Sequence, residues 1–193
     1  MKTSNPLADK ILTAAQARMV RFGYHKVTMD EIAADLRMSK NTIYVHFPSK
    51  IDIAKCLVAK IRNKINDHQI KIEQTEKDPL KIISLNVLFL QQELSPWFEC
   101  FLKDIQLELP ELWQEFINFR TEKVMELEKL VAEGIKKGKF RQISPGLAVR
   151  AYLGAVNNII DPEILQQEGI TFQQALETVM DIWSKGIVKE GKK

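Results

Sequence analysis

The chain has 193 residues, 45% of them hydrophobic and 27% charged, enough for one medium domain or two small ones burying roughly 70% of the unfolded surface. With only 8 glycines and 7 prolines, collagen-like and linker-type sequence are excluded as a main theme. The net charge of +3 conceals an asymmetry: residues 1–66 hold 12 Lys and Arg against 5 Asp and Glu, a net of +7, and residues 67–193 hold 16 against 20, a net of −4. A basic first third followed by a mildly acidic remainder predicts one module that faces a polyanion and another with a separate task. The longest uncharged run, Ile82 to Gln92, is 11 residues, short of the roughly 18–20 that cross a bilayer. No apolar signal core precedes Asp9 and Lys10, so the expected compartment is the cytoplasm, with no membrane partner.

Apolar residues recur at three and four along almost every stretch, and alternating β-branched runs are absent, which predicts an all-α fold. A first helix follows Asn5-Pro6 and runs to Gly23, with Leu7, Ile11, Ala15, Met19 and Phe22 on one stripe. A second, barely two turns long, starts at Thr28, whose hydroxyl and Glu31 three residues on form a capping box, and buries Met29, Ile32, Ala33 and Leu36. After the turn Leu36-Arg37-Met38, Ser39 caps a third short helix that carries Ile43 and Phe47 and stops at Pro48. Ser49 caps a fourth, from about Lys50 to Gln74, which keeps Ile53, Leu57, Ile61, Ile65 and Ile72 near one face and bridges two domains, 1–48 and 49–193. Breaks at Asp78-Pro79, Ser95-Pro96, Leu109-Pro110, Gly138, Ser144-Pro145 and Asp161-Pro162 leave about five more helices.

Two short capped helices around a tight turn, packed on a longer one, have the spacing of a helix-turn-helix. With Ile43 pointing inward at 100° per residue, Asn41 and Val45 lie about 160° away, Thr42 and Tyr44 about 100°, and Lys40 and His46 nearer the edge. A solvated helix face normally carries charge, whereas this crest is an amide, a hydroxyl, a phenol and a branched aliphatic group. Asn pairs two-fold with adenine, Val and Tyr touch thymine methyls, and hydroxyls bind phosphate. Lys50 sits in the first turn of a helix, where its charge opposes the dipole, a cost that phosphate contact would explain. Thr28 is either a plain N-cap or a cap that also presents phosphate-binding N–H groups.

The stretch TMDEIAADLRMSKNTIYVHFPSKIDI, Thr28 to Ile53, resembles the DNA-binding signature of TetR-type (tetracycline-repressor-like) bacterial transcriptional regulators. Thr28, Ile32-Ala33, Ser39, Ile43-Tyr44, His46-Phe47 and Lys50 fall in register. The resemblance implies an all-α homodimer with an N-terminal three-helix DNA-binding domain, joined by a long helix to a larger helical domain that holds an inducer and the dimer interface. By it, Thr28, Lys40, Asn41, Thr42, Tyr44, Val45, His46 and Lys50 face DNA. Asn41 stands where the family often has a small residue and Val45 where it often has an aromatic one, so the operator read here is this chain's own.

Residues 79–160 hold the aromatics Phe89, Trp97, Phe98, Phe101, Trp113, Phe116, Phe119 and Tyr152. Such side chains build cores, and they also line pockets for drug-sized apolar molecules. The expected lining is Phe89, Phe101, Trp113, Phe116 and Tyr152 with Asn157, around a small apolar or amphipathic effector. Asn86 and Gln106 are further polar candidates, and Arg150 is the candidate partner for an acid. The last two helices, about 144–160 and 171–188, place Leu147, Ala151 and Gly154 opposite Leu176, Val179, Met180 and Trp183. Small residues allow close approach. The set is expected to form a two-fold, four-helix interface between subunits that sets two recognition helices one duplex turn apart, with a buried intramolecular hairpin as the alternative.

Cys56 and Cys100 suggest buried small side chains rather than a disulfide framework, and His25, His46 and His68 show no metal-ligand spacing. No catalytic motif, phosphate loop or carboxylate–histidine cluster occurs, so neither an enzyme nor a cofactor is expected. The composite expectation is a repressor that leaves a near-palindromic operator when a small molecule binds. A TetR-like DNA-binding protein governed by a protein partner, or by nothing, is the alternative.

Overall fold

The computed structural model describes residues 5–159 and 162–189. The helices run in the order α1 (Pro6–Lys26), α2 (Met29–Asp35), α3 (Lys40–His46), α4 (Lys50–Thr75), α5 (Pro79–Trp97), α6 (Lys103–Glu108), α7 (Pro110–Lys136), α8 (Pro145–Ile159), α9 (Pro162–Glu168) and α10 (Phe172–Ile187). A π turn, Phe98–Leu102, lies between α5 and α6. Among the described residues the one β feature is an isolated bridge between Phe140 and Val188, so the chain is all-α, as its periodicity predicts.

Two compact units emerge, one of residues up to Lys64 with Pro96–Phe119, the other of Ile65–Ser95 with Arg120 onward. The first unit thus takes more than the segment 1–48: it includes the start of α4 and the stretch around α6. Its centre is Ile11, Ala15 and Met19 of α1, Ile32 of α2, Ile43 of α3, Ile53 and Leu57 of α4, and Phe101 and Ile105, each sealed from solvent. Phe22, expected on the buried stripe of α1, is exposed, with the Arg21 guanidinium 4.9 Å above its ring. Cys56 is exposed and Cys100 part-buried, against the expectation of two core thiols. Position 56 falls outside the buried arc of Ile53, Ala54, Leu57 and Val58.

Regular helix in α1 stops where expected. Gly23 has φ +85° and ψ 168° inside the span Pro6–Lys26, a backbone state that L side chains avoid. A Cβ at Gly23 would also overlap the Asp104 carboxylate. That carboxylate accepts the His25 backbone N–H at 2.7 Å, and His25 Nδ1 meets Glu108 at 2.5 Å, so the kink is held by the segment around α6. Pro96, expected to end a helix, lies inside α5. The N–H it lacks and the ring it adds disturb the helical ladder, and the disturbance takes the form of the π turn just after it instead of a break.

In the second unit, Ile83 and Val87 of α5, Val131 of α7, Val149 and Tyr152 of α8, and Trp183 and Ile187 of α10 form one buried cluster with Phe140. The Trp183 indole N–H donates to the Ala148 carbonyl at 2.7 Å. Arg141 N–H to Ile187 O and Lys189 N–H to Lys139 O, both 2.9 Å, fasten the α7–α8 connection to the end of α10. Phe140 covers Gly134 so closely that a Cβ there would enter its ring. No described helix is long and apolar enough to cross a membrane.

Gly23→Ala should destabilise by about 1–3 kcal/mol, several degrees in Tm, since it forces a strained backbone and displaces Asp104. A thermal melt measures it, and an unchanged Tm would mean that the kink is not held as described.

Candidate nucleic-acid interface

The turn between α2 and α3 is built from short-range signals. Thr28 Oγ1 accepts the Glu31 N–H at 3.2 Å, and the Glu31 carboxylate accepts the Thr28 N–H at 2.8 Å, completing the capping box. Arg37 takes φ 52°, and the Met38 N–H reaches back to the Ala33 carbonyl at 2.9 Å, closing α2 sharply. The Arg18 side chain of α1 forks onto Asp35 and reaches Glu31 at 3.3 Å. The hydrogen bond to the Thr28 backbone holds Glu31 below the usual carboxylate range, and the bond from Arg18 does the same for Asp35. Ser39 Oγ accepts the Thr42 N–H at 3.1 Å and starts α3.

Ile43 is fully buried and Phe47, at the end of α3, is nearly so. That anchorage rotates the rest of α3 outward: Val45 is 81% exposed, Tyr44 39%, and Asn41 is exposed beside them. The crest expected from helical phase therefore exists as a solvent-facing, uncharged ridge. His46 and Thr42 lie at its half-buried margins, and Asn5 Nδ2 lies 3.3 Å from His46 Nδ1, tying α3 to the start of α1.

The cations and caps at this edge are already engaged. Lys40 Nζ pairs with Asp30 at 2.6 Å, both exposed, and the pair raises the lysine's pKa. Such an exposed pair contributes little and can be exchanged for phosphate. The Thr28 hydroxyl donates to Glu31 at 2.9 Å while it accepts the Glu31 N–H, so it serves as the cap. Lys50 differs from the phosphate contact expected of it. Its ammonium donates to the Tyr24 carbonyl at 2.9 Å and the His25 carbonyl at 3.3 Å, and lies 4.1 Å from the Tyr24 ring centroid. Burial lowers its pKa against the opposing pull of Glu108 and Asp104. A cation placed on the last carbonyls of α1 answers the end of that helix's dipole; the cost inferred from α4 alone is offset by α1, a partner that spacing along one helix does not reveal.

The expected effector lining is divided between the units. Phe101, Trp113 and Phe116 belong to the first, where Phe101 is core and meets Trp97 edge-on at 4.9 Å, and Trp113 stacks on Phe116 at 5.4 Å. Phe89, Tyr152 and Asn157 belong to the second. There Phe89 lies flat on His68, ring centroids 3.7 Å apart, and Tyr152 is buried against Trp183. Asn157 is exposed and its carbonyl accepts Arg120 at 2.8 Å, which removes it from any interior lining; Arg150, too, is exposed. The Phe98 side chain lies outside the described residues. In the same unit His68 Nε2, Gln91 Nε2 and Oδ1 of the polar candidate Asn86 are buried and unpartnered.

The expected dimer set also separates. Leu176 and Trp183 are core residues of their own chain, and Val179 and Met180 pack on the cluster that holds Trp183, where α8 and α10 lie against each other. On α8, by contrast, Leu147 is 68% exposed, and Ala151 and Gly154 face solvent with nothing near a Cβ at 154. On α10, Ile182 is 66% exposed, a residue missed because it lies off the long apolar stripe of that helix. Among the described residues no cluster of three His, Cys, Asp or Glu could hold a metal ion.

Residues 11–55, which contain this whole arrangement, match the family model for bacterial regulatory proteins of the tetR family. An uncharacterised HTH-type transcriptional regulator of Bacillus subtilis, YvaF, is 26% identical over 190 residues, covering 94% of this chain and 96% of its own. A putative transcriptional regulator from Saccharomonospora viridis, solved in complex with choline, shares the fold with a TM-score of 0.80 at 21% identity, over 97% of this chain and all of that one. SmeT, the repressor of a multidrug efflux pump in Stenotrophomonas maltophilia, superposes with a TM-score of 0.72 at 17% identity, covering 98% and 93% of the two chains. A capped helix-turn-helix with an uncharged outward crest thus makes residues 11–55 a DNA-binding region of tetR type, and over nearly its whole length the chain is similar to an HTH-type transcriptional regulator.

Proposed function

We propose that the chain is a homodimeric repressor that binds a near-palindromic operator through α3 and is released by a small molecule held in the second unit. The observation that carries the DNA-reading half is the ridge of Asn41, Tyr44 and Val45, uncharged and exposed on a basic segment. In this reading Asn41 hydrogen-bonds a base edge, Val45 and Tyr44 pack on thymine methyls, and Thr42 and Lys40 hold phosphates, Lys40 after giving up Asp30. His46 and Lys50 position α3 and α1. Thr28 fixes the N-terminus of α2, whose free N–H groups are oriented toward the backbone of the duplex.

Two further features support the assembly and its control. The exposed strip Leu147, Ala151 and Gly154 on α8, with Ile182 and Gly186 on α10, is small and apolar, the composition that a self-complementary two-fold contact of helices needs. A choline-bound regulator of the same fold supports a small-molecule effector, and release then requires only that the effector prefer the conformation with misplaced recognition helices. The setting for such a regulator is the cytoplasm.

A genome-wide footprint of the purified protein tests the reading; enriched inverted repeats are expected, and uniform coverage would overturn it. Asn41→Ala should cost about 1–3 kcal/mol on the selected site and relax the base preference, with random duplex binding nearly unchanged, as competition assays would show. Leu147→Glu or Ile182→Glu should give folded monomers that bind the operator weakly. Sedimentation that still reports dimers would remove this face from the interface. Lys50→Met should lower Tm without DNA present, separating its capping of α1 from phosphate contact; an unchanged Tm with weaker DNA binding would restore the phosphate role. On acidification, Glu31 and Asp35 have depressed folded-state pKa values, so their stabilisation is complete above the ordinary carboxylate range, near pH 4. It falls away as pH drops through their folded-state values, and amide exchange in α2 should rise first there.

A further inference from the structure

Asn5 caps α1, and the same side chain reaches His46 in the last turn of α3, 41 residues away. Its Oδ1 accepts the Leu7 N–H at 3.1 Å, while its Nδ2 lies 3.3 Å from His46 Nδ1. Which end of an amide is oxygen follows from what surrounds it. Here one answer is left, because a backbone N–H only donates, so the atom facing Leu7 is the oxygen. The atom facing His46 is then the NH2 group, which also only donates. His46 Nδ1 must accept, and a neutral imidazole that accepts at Nδ1 carries its proton on Nε2. The cap of α1 thus dictates the tautomer of a residue in α3. His46 Nε2 has no partner among the described residues and, unlike His68 Nε2, is not sealed from solvent.

We propose that Asn5 is a positioning residue for DNA binding: it holds the His46 ring by Nδ1, so that α3 presents one outward donor, the Nε2 N–H, which meets an acceptor such as a phosphate oxygen and rejects another donor. This rests on the DNA-reading role of α3 given above and adds to it a residue outside the helix-turn-helix. His46 lies one helical turn after Thr42 on the same half-buried margin of the ridge, so the ring N–H extends the edge on which Thr42 was assigned to phosphate. A hydrogen bond between exposed side chains is weak in isolation, since water competes for both groups. This one costs little ordering entropy, because the cap already fixes Asn5 and the buried neighbour Phe47 restrains His46. Without Asn5 the ring is free to turn and to exchange tautomers, and only a fraction of molecules presents the donor outward. Affinity for the operator falls by that fraction.

The test uses the full-length protein and two variants that keep the cap. Ring nitrogens are read first, by nitrogen-15 NMR at about pH 8 without DNA, where a bare ring nitrogen resonates far downfield of a protonated one. In the parent, His46 Nδ1 should be bare and Nε2 protonated. Asn5→Asp keeps the capping oxygen but turns the donor into an acceptor, and should place a proton on Nδ1. Asn5→Ser keeps the cap and loses the donor; it should weaken operator binding about threefold to tenfold with little change in Tm. In a His46→Ala background, Asn5→Ser should cause no further loss, since Asn5 acts through that ring. A protonated Nδ1 in the parent, a bare Nδ1 in Asn5→Asp, unchanged operator affinity in Asn5→Ser, or losses that multiply in the double variant would each overturn the proposal. A parent that binds no duplex would overturn the regulator reading and the positioning role with it, while the ring signals still decide the tautomer.

Discussion

The burial of two side chains, Ile43 and Phe47, is the constraint on which the regulator depends. α3 is seven residues long, too short to hold a helical shape by propensity alone, so its conformation and its rotation both come from burying those two residues in the core of the first unit. Once they are docked, the phase of the helix leaves no freedom about what faces outward. Asn41, Tyr44 and Val45 are presented because Ile43 is hidden, and the low charge of that crest is what the proposed reading of base edges uses.

Around that anchorage, polar side chains are used to fix helix ends. The Thr28–Glu31 box and the Ser39 cap start α2 and α3, Arg18 clamps the acidic end of α2, and Lys50 closes α1. Individually each contact is worth little at an exposed site. Together they hold several short elements in one orientation, which is what a groove-reading helix requires. The junction of Gly23, His25, Asp104 and Glu108 does the same for the end of α1, within the same compact unit.

Local signals made the DNA-reading half legible in the sequence: caps, a positive-φ glycine and the i, i+4 pair of Ile43 and Phe47 all act within one or two turns, and each falls where the pattern put it. The intrachain partners of Lys50 were not legible for the complementary reason. Its partners are carbonyls 25 and 26 residues away, and no rule along a single helix contains them. The later helices showed the same limit. Which aromatic belongs to which core, and that Trp183 and Leu176 face their own chain while Ile182 does not, depends on packing between helices far apart in sequence. The unpaired ends of His68, Asn86 and Gln91 are invisible to periodicity, since burial of a single polar atom is a tertiary property.

The account rests most heavily on the ridge of α3 entering a groove. Intermolecular NOEs, measured on the protein bound to an operator duplex recovered by footprinting, test this directly: contacts from the Val45 methyls to thymine methyl protons, and from the Asn41 side chain to base protons of the major groove, are expected. Operator-induced shifts confined to other faces, with the Val45 methyl resonances unmoved, would contradict it.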